Sequence, residues 1–142
     1  MGMKARNRVI SFVMLCVILF TMVMPINATD SGIMPLGNNV DGTRNNFTID
    51  DSGIATVTYL CEGYNNITTT IKVEIKLQKK TWWWYNNVDG AYWKDVIDYY
   101  RCSGEHSIQL TQGGTYKAIV TYTVYGSGGV ADVITKELEA SY

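Results

Sequence analysis

The chain offers few residues suited to catalysis, and they are thinly spread. His106 is its only histidine. A Ser-His-Asp relay would need Ser103 or Ser107, this imidazole and an aspartate from elsewhere in the chain. No nucleophile elbow or other local signature marks either serine. Flanked by Glu105 and Ser107, His106 reads as a solvated connection residue. Asp95 and Asp98 could be taken as a glycosidase pair. A spacing of three along a strand puts them on opposite faces, which argues against it. One histidine excludes a zinc site built from several. These residues predict a non-catalytic protein with no cofactor and no metal site. An enzyme of unrecognised type is the third-ranked reading.

The segment best suited to contact a partner is aromatic. Between Lys80 and Trp93 lies Thr81-Trp82-Trp83-Trp84-Tyr85-Asn86-Asn87-Val88-Asp89-Gly90-Ala91-Tyr92. Neighbouring side chains in a strand point to opposite faces, so Trp82 and Trp84 cannot share a core with Trp83 and Tyr85. Part of the cluster is therefore expected in solvent. Indole and phenol rings stack on the apolar face of a sugar, anchor a protein interface or rest at a membrane surface. Trp82, Trp83, Trp84, Tyr85, Tyr92 and Trp93 form the candidate binding surface. Its expected partner is a cell-surface glycan, a cell-wall polymer or another extracellular protein. The competing reading folds these rings over the sandwich edge, where they cover an end of the core.

Asn38-Asn39-Val40-Asp41-Gly42 recurs letter for letter as Asn86-Asn87-Val88-Asp89-Gly90. A calcium loop needs several oxygen ligands at alternating positions, and each copy supplies one carboxylate. Asn and Asp-Gly are favoured turn chemistry, so the copies read as two similar loops without a shared function.

The amino-terminal stretch sets the compartment. Lys4, Arg6 and Arg8 precede an uncharged run over residues 9–24, and Ile26-Asn27-Ala28 offers a cut before Thr29. Sixteen residues is short for a membrane span of about 17–25. Residues 1–28 thus read as a secretory signal peptide, which would be the chain's only membrane contact, and an uncleaved anchor is the alternative. Removing them takes three of the 12 basic residues and none of the 13 acidic ones, leaving a charge of about −4. Lys79-Lys80 is then the only adjacent basic pair, which excludes a nucleic-acid coat.

Cys16 leaves with the signal. Its neighbours Met14 and Leu15 lack the small residues of a lipid attachment site. Cys61 and Cys102 remain as a pair in an oxidising space and are expected to form a disulfide closing about 40 residues.

The elements that must position these residues are strands. In residues 67–78, Ile67, Thr69, Ile71, Val73, Ile75 and Leu77 alternate with Thr68, Thr70, Lys72, Glu74, Lys76 and Gln78. Alternation recurs in residues 55–61, 116–124 and, more weakly, 130–138, with shorter strands over 93–100 and 107–110. Gly- and Asn-rich turns separate them, and no convincing amphipathic helix is present. The expected fold is all-β, an antiparallel two-sheet sandwich of about six to seven strands. Residues 29–46 read as a loose leader, ordered only if they add an edge strand, and residues 47–142 as the sandwich domain.

Leu110, Gly113 and Tyr116, spaced by three before an alternating strand, resemble the tyrosine corner of immunoglobulin-like and fibronectin type III sandwiches. Cys102 precedes this tyrosine, so the inter-sheet bridge of antibody domains is not expected. Gly53-Ile54-Ala55-Thr56-Val57, Leu77-Gln78-Lys79-Lys80, Trp93-Lys94-Asp95-Val96 and Gly114-Thr115-Tyr116-Lys117 resemble those of small secreted single-domain proteins of Gram-positive bacteria, whose function is uncharacterised. That resemblance implies a fold and an extracellular address, and it transfers no catalytic residue. A secreted bacteriocin-like or toxin-like effector, acting at a target cell surface, is the second functional reading.

Overall fold

The computed structural model describes residues 28–30 and 37–142; of residues 28–30 only the backbone is described. The export segment, apart from Ala28, and residues 31–36 of the leader lie outside the described residues. Eight strands follow in order: β1 (Ala28–Asp30), β2 (Val40–Ile49), β3 (Ile54–Gly63), β4 (Thr68–Thr81), β5 (Trp84–Ile97), β6 (Arg101–Gln109), β7 (Thr115–Gly126) and β8 (Asp132–Ser141). No helix occurs among the described residues. One antiparallel sheet runs β1-β2-β3-β6 and the other β5-β4-β7-β8. The result is the expected two-sheet antiparallel sandwich, immunoglobulin-like in connectivity, with hairpins β2-β3, β4-β5 and β7-β8 and chain crossings between the sheets from β3 to β4, β5 to β6 and β6 to β7.

Period-2 patterning explains the layers. Ala55, Val57, Tyr59 and Cys61 of β3 face Ile71, Val73, Ile75 and Leu77 of β4 and Tyr116, Ala118, Val120, Tyr122 and Val124 of β7 across one buried core. At the start of β4 the phase differs from the expected one: Thr68 is buried and Thr69 exposed. A bulge between Thr68 and Thr70 shifts the register against β7 and turns Ile67 and Thr69 out of the inward set.

β2 draws residues 40–46 of the expected leader into the sheet, and β1 pairs with its outer edge. Asn45, Phe47 and Ile49 are its inward residues. Asn45 is fully buried and accepts a hydrogen bond of 2.5 Å from the Tyr122 hydroxyl, joining the two sheets inside the core.

The two copies of the repeated pentapeptide differ in place: the first begins in the connection before β2 and runs into a bulge at its start, and the second lies wholly inside β5 as a bulge instead of a loop. The first copy carries an irregularity between Val40 and Gly42. The second interrupts the β4-β5 ladder between Lys76–Tyr92 and Gln78–Asn87, with Gly90 at φ +74°. Three consecutive amides of the first copy, those of Asn38, Asn39 and Val40, donate to the Asp132 carboxylate at 3.1, 2.6 and 3.1 Å. That carboxylate fastens the start of β2 to the start of β8.

Candidate functional site

Beyond Lys79, which lies opposite Tyr116, β7 ends and only β5 accompanies β4. The β4-β5 hairpin therefore projects past the sandwich as a two-stranded arm, closed by the two-residue loop Trp82-Trp83 between the paired Thr81 and Trp84. Trp82 has φ +58°, and Trp83 has no positive φ. Positive φ at the first central residue alone is the sign pattern of a type II′ turn, whose first position favours glycine. An indole is held there at a backbone cost of roughly 1–3 kcal/mol. Trp82, Trp83 and Trp84 are 83, 82 and 67% exposed. Replacing Trp82 with glycine is expected to raise stability by about 1 kcal/mol, read as a higher urea midpoint. A fall in the midpoint would mean that the indole packs against the fold.

The six aromatic residues singled out in the sequence do not form one surface. Trp82–Trp84 occupy the tip. Tyr85 and Tyr92 lie on the outer face of the sheet. Tyr85 is half-buried, its ring 4.3 Å from Lys117 Nζ and its hydroxyl donating to Glu139 at 2.6 Å. The hydrogen bond to that carboxylate, then desolvation, raises the pKa of Tyr85. Trp93 faces inward and stacks on His106, with centroids 5.2 Å apart and 14° between planes.

Beneath the arm is a cleft of about 390 Å³, walled by Lys79, Thr81 and residues 86–89 on one side and by residues 108–112 on the other. Its apolar floor includes Leu110 and Tyr116. The far wall is the turn before β7. There the Tyr116 hydroxyl donates back to the Gln112 carbonyl while Leu110 is buried, which is the tyrosine-corner arrangement. Gly113 lies at the surface of this corner, next to the carboxyl-terminal Tyr142 backbone. Lys79 Nζ donates to Gln112 Oε1 at 2.6 Å and ties the arm to the corner. Gln78 Nε2 donates to Asn87 Oδ1 at 2.9 Å, and Gln109 Nε2 to the Ser52 carbonyl at 2.8 Å. The side chains of Asn86, Asp89 and Thr111 take no part in these bonds.

His106 is not a connection residue. It lies within β6, half-buried, with Nε2 2.7 Å from Asp95 Oδ2. The same oxygen accepts the Tyr59 hydroxyl at 2.5 Å. An ionised carboxylate only accepts, so Nε2 carries the proton. The Tyr59 ring is also nearly parallel to the imidazole, at 6.2 Å. Desolvation raises the pKa of Asp95, but hydrogen bonds from Tyr59 and His106 outweigh it and leave the carboxyl below its ordinary value. Burial, then the Asp95 carboxylate, drives the Tyr59 phenol well above its ordinary range. The cluster joins β3 and β6 of one sheet to β5 of the other. Gly104, opposite Tyr59, makes room for it, because a Cβ there would collide with the phenol ring.

Neither of the two candidate serines completes a relay with this His-Asp pair. Ser103 and Ser107 sit on the opposite face of β6 from His106, and Ser107 Oγ is 2.9 Å from Thr56 Oγ1. Asp98 accepts from Thr70 at 3.0 Å, away from Asp95. Among the described residues no three His, Cys, Asp or Glu side chains gather to hold a metal ion.

Cys61 and Cys102 are buried and directly opposite on β3 and β6. They are free thiols here, not the bridge expected from the sequence. The Cys61 thiol hydrogen-bonds to the Cys102 sulfur, which lowers the pKa of Cys102 and raises that of Cys61.

The sequence signal that could have found the His106 cluster was its parity with Cys102 and Ile108 along β6, but a strand over residues 107–110 left His106 outside. The chain matches no protein-family model, no curated protein and no solved structure.

Proposed function

We propose that this chain is an exported, non-catalytic binding or adhesion module that presents its β4-β5 arm to an extracellular partner. The partner classes are a cell-surface glycan, a cell-wall polymer and another protein. The observation that carries the reading is the tip: three consecutive tryptophans, each at least two-thirds exposed, with one in a backbone conformation that disfavours it. Exposed indoles on a strained turn bring the fold no packing, so their use lies outside it. Export, an oxidised Cys61–Cys102 pair and kinship with the small secreted proteins of Gram-positive bacteria belong to the same proposal. Sequencing the amino terminus of protein recovered from the culture medium tests the export step, with Thr29 the expected first residue.

Retention of the purified chain on isolated cell walls tests the binding. Replacing Trp82, Trp83 and Trp84 together by alanine is expected to abolish retention and leave the thermal midpoint within a few degrees. Equal retention of both proteins would remove the arm from the site.

A second reading, an effector acting at a target membrane, is favoured by Lys79 and Lys80 directly behind the tip, since cations and indoles together suit a lipid interface. Release of dye from vesicles at micromolar protein is its signature, and inert vesicles reject it.

A further inference from the structure

We infer that the cleft under the arm is the ligand site of this module and that it takes an uncharged glycan chain, with the Trp84 indole as stacking platform. The inference rests on the binding-module reading and adds to it the site and the ligand class.

Three observations lead there. First, the inward parity of β4 continues through Lys79 and Thr81, whose partners on β5 are Asn86 and Trp84. Trp84 thus stands on the same face of the arm as the residues walling the cleft, at its open end, and a chain leaving the cleft passes under the ring. Second, the polar lining is mostly uncharged. Asn86 and Gln112 with Thr81 and Thr111 supply amide and hydroxyl groups, against one carboxylate, Asp89, and one ammonium, Lys79. Amides donate and accept at once, as sugar hydroxyls do, and a balanced pair of charges selects for no ionic ligand. Third, the site is partly pre-organised: Lys79 and Gln112 hold each other by a hydrogen bond across the cleft, so little of their side-chain entropy is lost on binding. Asn86, Asp89 and Thr111 retain capacity for a ligand. An aromatic ring beside a few fixed polar groups over an apolar floor is the general make-up of a small-ligand site.

The test is titration of the purified chain with N-acetylglucosamine and glucose hexamers and with phosphatidylcholine–phosphatidylglycerol vesicles, followed by tryptophan fluorescence and calorimetry. One hexamer is expected to bind with an affinity that salt leaves unchanged. Trp84→Ala is expected to weaken it about tenfold or more, and Asn86→Ala and Asp89→Asn severalfold each. Lys80→Ala, on the outer face of the arm, should leave it unchanged. Thermal midpoints of all four variants guard against loss of fold, and Thr81→Ala serves as a second probe of the wall should Asn86→Ala unfold.

Hexamer binding that ignores the Asn86, Asp89 and Thr81 substitutions, yet is lost on truncating the tip, overturns the cleft and keeps the binding module. Binding to vesicles alone, weakened by Lys80→Ala and by salt, overturns the glycan. Failure of the chain to be retained on cell walls, with no hexamer or vesicle bound, overturns both readings together.

Discussion

Exposure of the purified chain to glutathione disulfide is expected to close one intramolecular bridge between Cys61 and Cys102 and to raise the free energy of unfolding by about 4 kcal/mol. Both thiols lose their protons, glutathione disulfide takes the electron pair, and two reduced glutathiones leave. Geometry favours the step. The two residues are direct antiparallel partners. Such partners have Cα atoms about 4.5 or 5.5 Å apart, depending on the ladder position, and both values lie within the disulfide range of about 4.4–6.8 Å. Whichever sulfur loses its proton first attacks the glutathione disulfide, and the other then displaces glutathione from the mixed disulfide. Burial of both residues makes the attack slow and the product hard to reduce. The measurement is the urea midpoint of oxidised and reduced protein, with thiols counted under denaturant. Free thiols after prolonged oxidation would sink the prediction, as would an oxidised form no more stable than the reduced one. In Cys61→Ser the response should vanish.

Asp132→Ala is expected to destabilise the sandwich by about 3 kcal/mol, lowering the thermal midpoint by roughly 10 °C. The carboxylate accepts three successive backbone amides, from Asn38, Asn39 and Val40. Such a nest of N–H groups is anion-selective, and its bonds are charge-assisted. Truncation frees all three donors. Water can serve Asn38, which is exposed, but Asn39 and Val40 are buried, and each orphaned amide costs about 1–3 kcal/mol. Asp132→Asn keeps one acceptor oxygen without the charge and should fall between wild type and alanine. Ligand retention should survive in both, because Asp132 and the arm tip lie at opposite ends of β4 and β7: Thr68 pairs near Gly126, while Lys79 pairs with Tyr116. A loss below 1 kcal/mol for Asp132→Ala would show that the amides find other partners. Retention lost in step with stability would mean that the two ends are coupled.

The binding end was legible in outline. Parity along residues 81–85 required that some indoles face water, since no single core admits neighbours on a strand. It could not say that all three would. That came from the two-residue loop, which places Trp82 and Trp83 off the ladder, and from the end of β7, which removes the surface that Trp84 would otherwise cover. The second pentapeptide, expected as a loop, lies inside β5 as a bulge with Gly90 at positive φ.

What the sequence determined by itself is local and periodic. Alternation over residues 55–61, 71–77 and 116–124 dictates strands with one apolar face, and strands with one apolar face must pair into layers. Leu110, Gly113 and Tyr116 fixed the corner, because a hydroxyl reaching a carbonyl four residues back needs no distant partner. Only the tertiary structure decided the contacts between residues far apart in the chain. Asp95 meets His106 and Tyr59, Asp132 meets the amides of residues 38–40, and Asn45 meets Tyr122. Each polar group alone reads as an ordinary surface residue. Its partner is set by which strands lie side by side and by the register and bulges between them, and none of these leaves a mark at short range in sequence.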